Sequence, residues 1–363
     1  MSNIESLINA VKKYKNIMII IIGSPDPDAV ASAYALKCIL STVSVDSDII
    51  ISKNMSLPQN KAFVRYLNIP LIFKKTLTPQ KYDAYIIPDF QNNIVEGISD
   101  HIPCAVHIDH HAVRADHHAA SNKGAADFSL IDPKSGSTSS LISFMVKDYA
   151  DNFSDKELVS VCTALMFGIQ TDTDKYVHAT ETDINAIHYL AGYSDRKIIN
   201  KLNGIPVSSI TMGYYNKVKE NPYIYKDWHI YGIGYIDVGH RDSIAITADL
   251  LLNKPDSQTV IVYAMIEDKN DLYLDVSIRS KLKKLDINSL IKKITPTGGG
   301  RAYKGAYQIK LDYFRDCPDK ELLFQVVGLA TVEKLKKSKD KIDPDISTLY
   351  ESTLNKIVSL FKK

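Results

Sequence analysis

The first hundred residues alternate between short apolar runs and longer stretches with apolar residues at helical spacing. The run "NIMIIIIG", ending at Gly23, gives way to Ala29–Leu40, where Ala, Leu and Ile recur every three or four positions. Next come "VSVDSDIIIS", a helical pattern near Asn60–Leu67, "YDAYIIPDF" and "CAVHIDHH". Short continuous apolar runs read as strands buried on both faces. Their alternation with helices predicts a mainly parallel sheet sandwiched by helices. Downstream, "PKSGSTSSLISFMV" predicts a turn, a Ser/Thr cap and a helix. "SDKELVSVCTALMFG" predicts a second capped helix ending at Gly168, followed by a polar loop over Gln170–Lys175, and "TETDINAIHYLAGY" a third helix.

Between about Asp195 and Asp227 the pattern blurs, and "NGIP" and "ENPYIYKD" are rich in breakers. The expected division is a first domain over residues 1–195, a linker over 196–226 and a second domain over 227–363. In the last, "WHIYGIGYI", "QTVIVYAMIED" and "DLYLDVSIRS" are strand-like, while "DSIAITADLLL" and "INSLIKKI" are helix-like. The fold class expected is α/β, with a smaller α+β C-terminal domain, ending in helices, across a cleft.

Composition narrows the function more than the fold. Hydrophobic residues make up 45% and charged residues 24% of the 363, ordinary for a soluble globular chain. A formal net charge of +2 leaves no basic surplus for wrapping long nucleic acid, although a local anion pocket is permitted. Cys38, Cys104, Cys162 and Cys317 form no CxxC pair, which argues against a zinc knuckle or disulfide framework and for a reducing compartment. The apolar run Ile17–Gly23 is too short to span a bilayer and lacks a signal peptide's cleavage site. The expected location is the cytoplasm, with no membrane partner.

In parallel sheets ligands collect beyond the carboxyl ends of the strands. Acidic groups stand there in this chain: Asp26 and Asp28 after the first strand, Asp89 after "AYIIP", Asp109 after "CAVHI". Asp28 read alone is a cap of the helix that starts at Ala29, the commoner role. Together with Asp89, His110 and Asp172, they form a set of hard oxygens and an imidazole that suits Mn²⁺ or Mg²⁺ better than zinc. Neighbours on an extended segment point oppositely, so of His110 and His111 one is expected to bind metal and the other to face substrate or core. Asp109 is placed to orient a ring through its second nitrogen. A second triplet, Asp116-His117-His118, lacks a preceding apolar strand and reads as a solvated loop.

The ordered motifs "PDPDA", an Asp after an apolar strand, "DHH" and "GIQTDT" resemble the DHH phosphoesterase family. "VSIRS" and "GGGRAYKG" resemble its DHH-associated second domain, and the layout is similar to the nanoRNase/pAp-phosphatase and exopolyphosphatase-related branches. The resemblance implies that Asp26 and Asp89 hold one Mn²⁺ while Asp28, Asp89, His110 and Asp172 hold another. Asp89 then bridges, His111 contacts the scissile phosphate and Asp109 orients it. It also implies substrate contacts at Arg279, Ser280, Gly298, Gly299, Gly300 and Arg301. Three glycines beside a cation can let backbone N–H groups approach a phosphate, although a bare triple glycine is more often a plain turn.

The chain departs from the family pattern in three places. Ile22 stands where the family carries a ligating histidine, so the first metal loses a ligand. Asp174 replaces the glycine of "DTG", and Arg301 replaces the histidine of "GGGH", favouring a phosphate or a guanine edge. The function expected is a Mn²⁺- or Mg²⁺-dependent phosphodiesterase, with one or two ions, cleaving short oligonucleotides or linear dinucleotides to mononucleotides; a homodimer is a permitted assembly. Competing expectations are pAp phosphatase or exopolyphosphatase activity. A nucleotide-binding sensor, silenced by Ile22, is the alternative outside enzymology.

Overall fold

The computed structural model describes residues 2–111, 125–268, 271–282, 285–296 and 298–343. The chain divides into two compact units, Met1–Pro206 and Val207–Lys363. The stretch 196–226, expected as a linker, is shared between them as ordered structure: a helix closes the first unit, and a helix and a strand open the second.

The first unit runs α1 (Asn3–Val11), β1 (Asn16–Ile21), α2 (Pro27–Thr42), β2 (Asp46–Ile51), α3 (Pro58–Tyr66) and β3 (Leu71–Phe73). It continues with β4 (Ala84–Pro88), β5 (Cys104–Asp109), β6 (Phe128–Ile131), α4 (Thr138–Asp148), α5 (Asp155–Asp172), α6 (Glu181–Leu190) and α7 (Arg196–Asn203). Its six strands are all parallel, in the order β3-β2-β1-β4-β5-β6. Chain order therefore reverses between β1 and β4, and two connections leave the sheet there in opposite directions. In such sheets ligands collect beyond the carboxyl ends of the strands at this reversal.

Strand residues explain the layering. Ile17, Ile19 and Ile21 face a core built with α2, α4 and α5, while Met18 and Ile20 face a second cluster with Ile50, Tyr85, Ile87, Val95 and Ile98. Strands β4 and β5 are buried along their whole length, which is why they read as unbroken apolar runs. Helix α5 passes through Gly168 and continues one turn further, so Asp172 is its last residue and not part of a loop. A lone glycine costs a helix only about 1 kcal/mol, and tertiary packing overrides it.

The second unit comprises α8 (Ser209–Val218), β7 (Tyr223–Tyr225), β8 (Trp228–Asp237), α9 (Ser243–Leu252), β9 (Thr259–Asp268) and β10 (Asp271–Ser280). There follow α10 (Ile287–Ile294), β11 (Gly299–Gly300), β12 (Lys304–Lys310) and α11 (Lys320–Ile342). Its mixed sheet has the order β11-β12-β10-β9-β8-β7, with β8 and β9 parallel and the other pairs antiparallel. Among the described residues no helix is long and apolar enough to cross a membrane.

Candidate metal centre

The turn after β1 delivers two carboxylates with different tasks. Asp26 is the N-cap of α2, its Oδ1 accepting the N–H of Ala29 at 2.9 Å. Asp28 lies in the first helical turn and is 1% exposed. Its oxygens accept the backbone N–H groups of Thr138 and Ser139, each at 2.8 Å. The first turn of α4 thus holds one oxygen with each of two adjacent amides.

Asp89 follows β4 with φ +56°, in the left-handed region that an L-residue seldom adopts. Strain of this kind persists where surrounding contacts fix it, and it is common at functional sites. Here the Asp89 amide donates to Ile108 O at 2.8 Å and its Oδ1 accepts from Thr138 Oγ1 at 2.9 Å.

His110 and His111 stand just past the end of β5, so the alternation of a strand no longer governs them. Both rings turn toward Asp89, with centroids 4.3 Å apart. His110 Nδ1 donates to the carbonyl of Ser135 at 3.1 Å, since a carbonyl can only accept. Its Nε2 then faces Asp172 Oδ2 at 3.2 Å and Asp89 Oδ1 at 3.5 Å. His111 Nδ1 lies 2.7 Å from Asp109 Oδ1 and 3.8 Å from Asp89 Oδ1.

Two overlapping donor groups result. Asp28, His110 and Asp172 present atoms within 4.8 Å of one another, and so do Asp89, His110 and His111. Asp26 belongs to neither, because its Oδ1 is turned to cap α2. Burial pushes Asp28 up to about 6 from 3.8, with repulsion from Asp172 next and His110 opposing. Asp89 is raised well above its ordinary value, first by burial and then by Asp28, Asp26, Asp172 and Asp109. Packing this much negative charge out of water is unfavourable unless a cation offsets it. Buried carboxylate oxygens with one or two imidazoles are the donor set of a Mn²⁺-like ion, and the residues fit such a group.

Ile22 sits one residue beyond β1 and packs on the cluster of Met18 and Ile20, following the alternation of the strand. Asp116, His117 and His118 lie outside the described residues.

The motifs of the second unit are more structural than the sequence suggests. Arg279 Nε reaches Asp249 Oδ1 at 2.5 Å, and Nη1 donates to Ser277 Oγ at 2.9 Å. Ser280 is buried, its hydroxyl 2.9 Å from that of Thr259. The triple glycine is a hairpin edge and not an open phosphate loop: Gly299 and Gly300 pair with β12, and Arg301 N donates to Lys304 O at 2.7 Å. Close packing requires the glycines, since a Cβ would lie 2.4 Å from Tyr307 Cβ at Gly298 and 2.2 Å from Lys304 O at Gly300. Arg301 Nη1 lies 3.4 Å from the Tyr303 hydroxyl, and Lys304 pairs with Arg279 across β10 and β12.

Residues 16–169, which include Asp26, Asp28, Asp89, His110 and His111 but not Asp172, match the DHH family, N-terminal domain. Over those residues the chain is similar to that family's N-terminal domain. Over 314 residues the chain is 28% identical to an uncharacterized protein of Methanocaldococcus jannaschii, MJ1633; the alignment covers 86% of this chain and 62% of that protein. The chain thus spans less than two thirds of its relative's length. An exopolyphosphatase-related protein from Bacteroides fragilis shares the fold with a TM-score of 0.64 at 17% identity, covering 92% of this chain and 97% of that one.

Sequence reasoning missed the segment that holds this cluster of carboxylates and imidazoles together. "SGSTSS" reads as a turn and cap, yet Ser135, Thr138 and Ser139 touch His110, Asp89 and Asp28. The run of small hydroxyl residues was the available signal.

Proposed function

We propose that the chain is a divalent-metal-dependent phosphodiesterase acting on short oligonucleotides or linear dinucleotides such as pGpG or pApA. The observation that carries this reading is the sharing of the buried His110 between two donor groups, one with Asp28 and Asp172, the other with Asp89 and His111. Asp28, Asp89, His110 and Asp172 would hold Mn²⁺, with Asp26 adding negative potential. A bound pair of such ions supplies Lewis acidity toward phosphoryl oxygens and lowers the pKa of water. His111, oriented by Asp109, is the ring available to meet the phosphoryl group. In the second unit, Arg279 and Lys304 form adjoining cations and Tyr303 an aromatic surface, a set suited to a terminal phosphate and base. The near-neutral charge of +2 supports a short substrate over a long polyanion.

The test is product analysis with Mn²⁺ on labelled dinucleotide, pAp and polyphosphate. The reading expects mononucleotides from the dinucleotide, abolition by Asp89→Ala and near-parent activity for His117→Ala. Dominant orthophosphate release from polyphosphate refutes it. A second reading, a nucleotide-binding sensor, draws support from the apolar packing of Ile22, which leaves a ligand position of the family without a donor. Tight dinucleotide binding without turnover at any Mn²⁺ concentration selects the sensor.

A further inference from the structure

We propose that Asp183 is a positioning residue for the metal centre, setting the 135–139 segment that holds His110, Asp28 and Asp89 in place; this rests on the metal reading above. That segment makes four contacts with the site. Ser135 O accepts a hydrogen bond from the Nδ1–H of His110, the amides of Thr138 and Ser139 hold Asp28, and Thr138 Oγ1 donates to Asp89. A shift of the segment therefore moves three of the four proposed ligands together.

What fixes the segment is a carboxylate from α6. Asp183 is fully buried and accepts from Gly136 N at 3.0 Å, Ser140 Oγ at 2.6 Å and Ser137 Oγ at 3.3 Å. It also accepts from Thr180 N at 2.7 Å and Thr180 Oγ1 at 2.9 Å. The Thr180 bonds form a capping box for α6, a local duty. Of the other three, two reach across the sequence to the segment that carries the metal contacts, at Gly136 and Ser137, and the third reaches Ser140 directly after it. The fit leaves no slack, because a Cβ on Gly136 would lie 2.1 Å from Asp183 Oδ2. Asp183 is in neither donor group, so its effect on a cation runs through the segment and not through coordination.

Outer-shell groups of this kind typically change metal affinity by about 10–100-fold. Mn²⁺ affinity measured by calorimetry on the full chain separates the two duties of Asp183. Asp183→Ala is expected to weaken Mn²⁺ binding at least about tenfold while circular dichroism stays that of the parent. Asp183→Asn is expected to restore most of it, since its oxygen can serve the amides while its NH₂ donates to the Ser137 and Ser140 hydroxyls. Thr180→Ala removes only the reciprocal cap and is expected to lower the melting temperature at unchanged affinity. Should Asp183→Ala fail to fold, Ser140→Ala, which takes away the 2.6 Å donor together with the 2.9 Å bond to the Ser137 hydroxyl, carries the test with a smaller loss. Parent-like affinity in folded Asp183→Ala, or in Ser140→Ala, overturns the proposal. A parent chain that binds no Mn²⁺ overturns the metal reading and this one with it.

Discussion

His110 Nε2 lies 3.2 Å from Asp172 Oδ2, although one residue follows β5 and the other ends α5. The Ser135 carbonyl accepts a hydrogen bond from Nδ1–H, so on a neutral ring the Nε2 lone pair faces a carboxylate oxygen. Two acceptors at that distance repel unless a cation lies between them or the ring is protonated. His110 is common to both donor groups, and its removal should cost more than any outer-shell change. His110→Ala is expected to lower Mn²⁺ affinity by more than about 100-fold, the upper end of such changes, as read by calorimetry. A loss below about tenfold would show that the ring serves the core and not an ion.

Gly168 governs how closely α5 approaches the site. A Cβ there would lie 2.3 Å from Ser139 Oγ and 3.2 Å from both Asp28 Cα and Ala31 Cβ. Gly168→Ala is expected to destabilise the fold by about 1–3 kcal/mol through overpacking. It should also weaken Mn²⁺ binding, because α5 carries Asp172 away from Asp28. Denaturant midpoints and calorimetry on one preparation check both effects, and unchanged values for both contradict the packing described.

The metal-free chain should lose stability as pH rises. Asp28 titrates at about 6 in the folded chain against 3.8 as an unperturbed carboxyl, so across that window the folded state binds more protons. Stability therefore falls as pH rises from 3.8 through about 6, and Asp89, raised well above its ordinary value, extends the loss upward. Mn²⁺ should reverse the trend, adding about 2.7 kcal/mol at a hundredfold excess over its dissociation constant. Melting curves in chelator and in Mn²⁺ across this range show the crossing or its absence.

Much of this was legible in the residues. Unbroken apolar runs announce β1, β4 and β5 because parallel strands are buried on both faces, and the carboxylates follow those runs directly. Four features escaped. Gly168 looks like a helix end, but it is there for a close helix approach, and the pattern of one helix says nothing about its neighbour. Strand alternation points His110 and His111 to opposite faces, but it ends at Asp109. The triple glycine suggests an anion loop, whereas Gly299 and Gly300 pair with β12 and the Gly300 amide donates to Asn288 Oδ1, contacts that only tertiary packing reveals. Asp183 carried no sign beyond a capping box, since its partners at Gly136, Ser137 and Ser140 are distant in sequence.

Ile22→His asks whether the missing family ligand can be restored. Strand alternation turns Ile22 to the Met18 and Ile20 side, so the new ring must leave that cluster to reach the carboxylates. The exchange is expected to raise Mn²⁺ affinity severalfold and to lower stability by about 1–3 kcal/mol, the usual cost of losing apolar packing. Unchanged affinity would mean that the position contributes nothing to the centre.

Anomalous scattering from crystals soaked in Mn²⁺ reads the centre without reference to any substrate. A peak ligated by His110 Nε2 with oxygens of Asp28 and Asp172, and Asp89 against it or bridging to a second peak near His111, is the predicted result. Mn²⁺ found only elsewhere, with these side chains unligated at saturating metal, would contradict the metal centre and the hydrolase built on it.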